Sequence, residues 1–266
     1  MSFIIKLFSG VIGLIALDAF WFEKYIIDWT VFDISKNEDS KIKIIQLTDL
    51  HLYKIKSFHK SIAKRINKEN PDAILITGDS INHTSKLSIL DDFLKLIDNH
   101  ILKIASLGNK EYSGRINFDA LKKVYESNNG MLLINQNHVL KIKNRSINIM
   151  GIDDYLSGNA DYFITAQNVN VSLDTIVLNH RPKYRDEIDR INQNLKLPLK
   201  LILSGHTHGG QITFFGKVLF KPEGSGRYLK GWYKSEESLM YVSKGIGTSI
   251  IDVRFGARAE ASIFYV

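Results

Sequence analysis

Residues 43–51 read KIIQLTDLH, a β-branched apolar run that ends on an acid and a histidine. A short apolar run bounded by polar residues reads as a buried strand, and here the polar pair lies just past its C-terminal end. The arrangement recurs four times along the chain. Ala73–Thr77 (AILIT) precedes Gly78-Asp79, and Lys103–Leu107 (KIASL) precedes Gly108-Asn109-Lys110-Glu111. Thr175–Leu178 (TIVL) leads to Asn179-His180, and Leu201–Ser204 (LILS) to Gly205-His206-Thr207-His208. Open α/β sheets bind ligands just outside the carboxyl ends of their strands. The side chains gathered there are carboxylates, a carboxamide and imidazoles. That donor set suits manganese, iron, zinc or magnesium ions and not soft copper(I).

Between these strands, Ser57–Lys68, Lys86–Asn99 and Asn117–Ser127 place apolar residues at helical spacing. Strands alternating with helices predict an α/β fold. The later chain changes character: His138–Lys143, Ser146–Met150, Gln211–Phe214, Lys217–Phe220, Leu239–Ser243 and Ala261–Val266 read as strands without long helices between them. A four-layer α/β/β/α sandwich accommodates both halves. Asn37–Ser40 (NEDS) reads as a polar linker, which divides the chain into an N-terminal segment, 1–36, and a catalytic domain, 41–266.

The N-terminal segment is apolar. Phe3–Phe22 reads FIIKLFSGVIGLIALDAFWF, about the 20 residues that a membrane-spanning helix needs. Lys6 and Asp18 interrupt it, and Trp21, Phe22, Tyr25 and Trp29 follow as an aromatic belt of the kind found at membrane interfaces. A signal anchor or interfacial helix is the leading reading. A cleaved signal peptide lacks a clear small-residue cleavage site before Trp21, and a first helix packed on the domain is the third option. Lys24, Lys36, Lys41 and Lys43 follow the segment while Lys6 precedes it, which favours a cytoplasmic domain.

Composition narrows the classes further. With 44% hydrophobic and 24% charged residues, the chain is neither disordered, collagenous nor a multi-span membrane protein. The absence of cysteine removes disulfide scaffolds, thiolate zinc sites and cysteine nucleophiles. A net charge of +7 points to anionic partners. No Lys/Arg cluster interleaved with aromatics marks a nucleic-acid groove, so a nucleic-acid partner is not expected.

Taken in order, the five polar clusters resemble the calcineurin-like metallophosphoesterase superfamily, whose pattern is D-x-H … G-D … G-N-H-[DE] … H … G-H-x-H. The resemblance implies that Asp49, His51 and His208 hold one metal ion, that Asn109, His180 and His206 hold a second, and that Asp79 bridges them. Manganese is the expected ion, with iron, zinc or magnesium open. In such a clamp a water between ions roughly 3.5–4 Å apart loses a proton and attacks phosphorus in line as a metal-bound hydroxide. A narrower likeness covers Gly205–Gln211 (GHTHGGQ) and Tyr241–Glu260 (YVSKGIGTSIIDVRFGARAE). With the apolar N-terminus, these resemble the membrane-linked YkuE/YaeI branch, from which Lys244 and Ala259 depart mildly.

One departure matters for chemistry. Where the superfamily carries His in G-N-H-[DE], this chain has Lys110. A lysine ammonium is a poor proton donor at neutral pH, so the leaving group should need no proton. A pyrophosphate bond meets that condition, because phosphate leaves with a conjugate-acid pKa of roughly 6. Lys110 would then act as an electrostatic clamp. The resemblance extends to the chlamydial-type UDP-2,3-diacylglucosamine pyrophosphatases of lipid A synthesis, so the expected partners are a phosphorylated or nucleotide-linked lipid and a membrane. A monomer is expected. Lys54, Arg181, Arg227 and Lys230 are candidate substrate contacts, and Tyr112 and Tyr228 either frame the pocket or pack in the core. His59, His83, His100 and His138 match no block and read as surface or local hydrogen-bonding residues. Two readings stay open beside this one: a broad-specificity phosphodiesterase or nuclease, and a catalytically weakened, metal-stabilised membrane protein.

Overall fold

The computed structural model describes residues 2–35, 41–142, 144–218 and 220–266. The linker expected at Asn37–Ser40 lies outside the described residues, as do Lys36, Lys143 and Leu219. Among the described residues the strands run in chain order as β1 (Asp28–Asp33), β2 (Lys43–Leu47), β3 (Ala73–Thr77), β4 (Leu102–Ser106) and β5 (Gly130–Leu132). They continue with β6 (Gln136–Ile142), β7 (Arg145–Gly151), β8 (Thr175–Leu178), β9 (Leu199–Ser204), β10 (Thr213–Phe214) and β11 (Lys217–Val218). The last are β12 (Gly231–Lys234), β13 (Leu239–Val242) and β14 (Glu260–Tyr265).

Two six-stranded sheets result, ordered β1-β14-β2-β3-β4-β5 and β12-β13-β9-β8-β7-β6, with β10-β11 as a separate hairpin. Period-two alternation explains how they stack. In β3, Ile74 and Ile76 face the helices Ser57–Glu69, Leu87–Leu94 and Phe118–Ser127, whereas Ala73 and Leu75 face the other sheet. In β8, Ile176 and Leu178 meet the first sheet while Val177 points to the helix Arg185–Leu195. Three buried apolar clusters therefore fill three interlayer spaces, which is the expected four-layer α/β/β/α sandwich. Both sheets keep parallel strands at their centres, β2-β3-β4 and β7-β8-β9, so the site loops leave from the same end of each.

Two elements escape a reading by apolar runs. The helix Arg185–Leu195 carries one narrow stripe, Ile188, Ile191 and Leu195, in an otherwise polar RDEIDRINQNL. β1 falls inside the segment grouped with the N-terminal anchor, yet pairs in parallel with β14 from Asp28↔Glu260 to Asp33↔Tyr265.

The N-terminal helix Ser2–Leu17 continues through a wide turn, Asp18–Phe22, to Tyr25. Its stretch Ile5–Tyr25 is long and apolar enough to cross a membrane. Leu7, Phe8 and Leu14 are exposed, so the option of a helix packed on the domain does not hold. The aromatic belt divides. Trp21 and Phe22 stay exposed, while Trp29 packs on the core beside the first sheet and Tyr25 lies 5.1 Å from the Phe58 ring. The end of the helix is clamped to the C-terminal segment. The Glu23 carboxylate accepts the Gly256 and Ala257 N–H groups at 2.8 and 2.9 Å, and Lys24 pairs with Asp252 at 2.7 Å.

Candidate metal centre

The five loops that leave β2, β3, β4, β8 and β9 converge, and they bring the candidate ligands together. The ligand atoms of Asp49, His51 and His208 lie within 4.8 Å of one another, as do those of Asp49, Asp79 and His180. Asp79 faces both ways: its Oδ2 is 3.7 Å from His51 Nε2 and its Oδ1 is 3.5 Å from His180 Nε2. Asn109 Oδ1 lies 3.2 Å from His180 Nε2. His206 belongs to neither cluster, although its ring contacts that of His180 at 5.1 Å.

Holding these side chains inward costs backbone strain. Asp49, His51, Asp79, His206 and His208 all have positive φ, between 45° and 70°. For non-glycine residues such conformations cost about 1–3 kcal/mol each and persist only where the surroundings enforce them. Close packing does so here. A Cβ on Gly205 would sit 2.1 Å from Thr48 Oγ1 and 2.4 Å from Asp49 Oδ2, so only glycine lets the β9 loop approach. Gly78 combines φ +82° with a Cβ position 2.7 Å from His180 Nδ1.

Hydrogen bonds set the imidazole tautomers, since a carbonyl can only accept. His180 Nδ1–H donates to the Thr77 carbonyl at 2.8 Å, which turns Nε2 toward Asp79 Oδ1 at 3.5 Å. His206 Nε2–H donates to the Glu223 carbonyl at 2.8 Å, so Nδ1 is its free ligand atom. The other pair behaves differently. His51 Nδ1–H donates to Asn82 Oδ1 at 2.6 Å, and His51 Nε2 lies 3.1 Å from His208 Nε2. Arg254 Nη2 approaches His208 Nδ1 at 3.3 Å.

Electrostatics mark the same place. Burial, reinforced by the Asp79 charge, raises the Asp49 carboxyl above its ordinary range. Burial drives His206 and His208 well below the ordinary histidine value, with neighbouring His180 and His51 adding to the effect. Both are neutral imidazoles, the form that ligates metals. His180 moves up: burial opposes its charge, but the carboxylates of Asp79, Asp49 and Asp154 outweigh that. Asp49 Oδ1 is buried without a hydrogen-bond partner while lying 3.5 Å from His208 Nε2. An orphaned carboxylate oxygen among neutral imidazoles is what a divalent cation would satisfy, so the residues present fit one.

Two residues without an expected role support this geometry. The buried Glu111 carboxylate accepts the N–H groups of Gly108, Asp79 and Ser80 at 2.9, 3.0 and 2.7 Å, tying the β3 and β4 loops together. Burial, then the Asp79 charge, pushes its pKa up to about 7. Arg254 is fully buried and donates to the carbonyls of Lys244, Gly245, Gly247 and Ala257 as well as reaching His208. Burial lowers its pKa to about 10. Glu111 was visible as the acid of its block and Arg254 as part of the tail motif, but neither signal reveals its partners.

A cavity of about 580 Å³ opens over the cluster, lined by Asp79, Asn109, Lys110, His206 and His208. Lys110 donates its backbone N–H to Asp79 Oδ1 at 2.7 Å. The substrate-contact candidates separate. Arg181 lines this cavity, with its Nε paired to Asp154 at 2.9 Å. Lys54 lines a second cavity beside His51. Arg227 and Lys230 line neither. Tyr228 inserts into the outer core and hydrogen-bonds Asp186, which turns Arg227 to the surface. Lys230 is exposed and donates to the Gly256 carbonyl at 3.3 Å. Tyr112 packs against the first core and donates to Asp153, so both tyrosines serve packing. His59, His83 and His100 hydrogen-bond locally, His59 from a buried position.

Comparison with known proteins agrees with this arrangement. Residues 42–210 match the calcineurin-like phosphoesterase family profile. The chain is 30% identical to the uncharacterized metallophosphoesterase YkuE of Bacillus subtilis over 84% of this chain and 78% of that one. It is 28% identical to the phosphodiesterase YaeI of Escherichia coli, covering 86% of this chain and 83% of that one. To the UDP-2,3-diacylglucosamine pyrophosphatase LpxG of Chlamydia muridarum it is 26% identical, over 77% of this chain and 78% of that one.

Proposed function

The chain belongs to the calcineurin-like phosphoesterase family, and from that premise we propose that this metal-dependent phosphoester hydrolase cleaves a pyrophosphate bond in a membrane-associated amphiphile such as UDP-2,3-diacylglucosamine. The observation that carries the reading is the make-up of the main cavity. Candidate metal ligands and two cations, Lys110 and Arg181, share it with an apolar wall of Ile212, Phe220, Pro222, Ile250 and Ile251. An apolar wall beside the ligands matches the hydrocarbon part of an amphiphile, which a nucleic acid or a small phosphoester lacks. The similarity to LpxG and the apolar helix Ile5–Tyr25 support the same substrate class and a catalytic domain, 41–266, held at a membrane.

In this reading Asp49, His51 and His208 hold one divalent ion, Asn109, His180 and His206 a second, and Asp79 both. Two such ions, when bound, supply Lewis-acid charge and an acidified water. The chain does the rest. Asn82 and the carbonyls of Thr77 and Glu223 orient the imidazoles, and Glu111 fixes the backbone that carries Asp79. Lys110 offers positive charge at the cavity wall to a leaving phosphate, which departs without needing a proton.

The test is release of UMP from UDP-2,3-diacylglucosamine by the full-length protein in detergent with Mn²⁺, with bis-p-nitrophenyl phosphate alongside and Asp79→Ala as the blank. UMP release that disappears in the blank supports the proposal. Turnover of the nitrophenyl ester alone sinks the substrate but keeps the hydrolase. A large gain on Lys110→His would show that Lys110 weakens an ancestral activity, and a loss would show that it works.

A further inference from the structure

The second cavity, about 460 Å³, meets the metal centre from the other side, with His51 in its wall. It differs from the first in kind. Its lining brings together Lys24, Lys54 and Lys56 with Tyr25 and Tyr53 and lacks the apolar wall of Phe220, Ile250 and Ile251 that faces Lys110 and Arg181 in the first cavity. Asp252 is the acid in its wall, and Lys24 takes it at 2.7 Å. Lys54 and Lys56 form no ion pair among the described residues, and although Lys56 adds to the pull of Lys24 on Asp252, three lysines against one acid leave the lining net positive. Lys54 and Lys56 are both held by fixed backbone. Leu52 bridges to Ile81, and the Lys56 N–H donates to buried His59 Nδ1 at 3.0 Å. Tyr25, from the end of the apolar helix, lies 3.3 Å through its hydroxyl from Lys56 Nζ.

We propose that this basic cavity binds the hydrophilic, phosphate-bearing half of the substrate, on the side of the scissile bond away from its apolar chains. The metal centre is thereby straddled by an anion subsite on the His51 side and an apolar subsite on the His208 side. The proposal rests on the hydrolase reading for what is bound and adds where each half lies. It follows from adjacency and charge. His51 and His208 stack with ring centroids 5.0 Å apart, so groups in the two cavities flank a single centre. Lysines at the edge of a site attract phosphate oxygens, and charge-assisted hydrogen bonds to a phosphate discriminate strongly against apolar groups.

The experiment is calorimetric binding to the full-length, Mn²⁺-loaded protein in detergent, which needs no turnover. UMP probes the anionic half and hexylphosphonate the apolar half. Lys54→Ala with Lys56→Ala should weaken UMP binding about tenfold or more while shifting hexylphosphonate far less. Phe220→Ala with Ile250→Ala should do the reverse. Lys54→Ala alone, at an exposed position, should show a smaller change of the same sign and guards against misfolding of the double variant. Equal weakening of both ligands by either pair, or no change with either, overturns the proposal. So does loss of UMP binding on adding phosphatidylglycerol with hexylphosphonate unaffected, which would reassign the cavity to a lipid headgroup. A protein that binds both probes in this crossed pattern yet hydrolyses nothing would contradict the hydrolase reading alone.

Discussion

The two halves of the candidate centre are built from the same residue types but are prepared differently. On the His180 side, backbone carbonyls of Thr77 and Glu223 take the N–H of His180 Nδ1 and His206 Nε2, and each ring turns its other nitrogen away from that carbonyl. On the His51 side, the two Nε2 atoms that would ligate face each other at 3.1 Å, and a guanidinium sits at His208 Nδ1. Because His51 Nδ1 donates to Asn82, its Nε2 accepts, and His208 Nε2 must carry the proton between them. A metal on this side has to move that proton to Nδ1, toward Arg254. A guanidinium lies 3.3 Å from a histidine on each side, so the difference is the partner ring: carbonyl partners preset a ligand, whereas a neighbouring imidazole makes it wait. The His180 side should therefore fill first and hold its ion more tightly.

The largest effect breaks both halves at once. Asp79→Ala removes the carboxylate that faces His51 and His180 together, and should reduce turnover by about 10³-fold or more, checked by kcat on the nitrophenyl ester. Next come the single-sided changes. His180→Ala should abolish the tight phase of a Mn²⁺ titration and His51→Ala only the weak phase, each lowering turnover roughly 10²-fold. If His51→Ala removes the tight phase, the comparison is wrong. Asn82→Ala should act only on the weak phase, by about tenfold in affinity, because it frees the His51 ring.

The smallest effect concerns a histidine outside both halves. His59 is neutral because burial, then Lys56, lowers its pKa from 6.5 to about 4. A histidine depressed in the fold binds its proton more readily when unfolded. Its contribution is thus complete above pH 6.5 and fades as the pH falls toward 4. That window should cost the wild type up to ~3 kcal/mol, and His59→Gln should flatten the urea-midpoint profile across it.

How much of this was legible follows the range of each interaction. The five strand-end blocks showed which residues meet, because an apolar run and the polar residues after it are local signals. The four layers followed from alternation along single strands. The left-handed backbone at Asp49, His51, Asp79, His206 and His208 left no trace in composition, and the close glycines that crowd Asp49, His51 and Asp79 come from other loops. β1 was hidden because Trp29 and its neighbours read equally as an interfacial belt until their partner, β14, at the far end of the chain, is known. Arg227 and Lys230 looked like pocket residues from their glycine-rich surroundings. The ring of Tyr228, buried in the outer core, turns Arg227 to the surface, and Lys230 reaches the Gly256 carbonyl; no local pattern reports either.

The most direct test of the account is a Mn²⁺ titration of the full-length protein followed by electron paramagnetic resonance. Two unequal ions sharing Asp79 predict a six-line signal from the first equivalent that gives way to a spin-coupled multiline spectrum with the second. In Asp79→Ala the coupled spectrum should never form. A wild-type protein that saturates at one manganese, or binds two that stay magnetically independent, would contradict the shared centre.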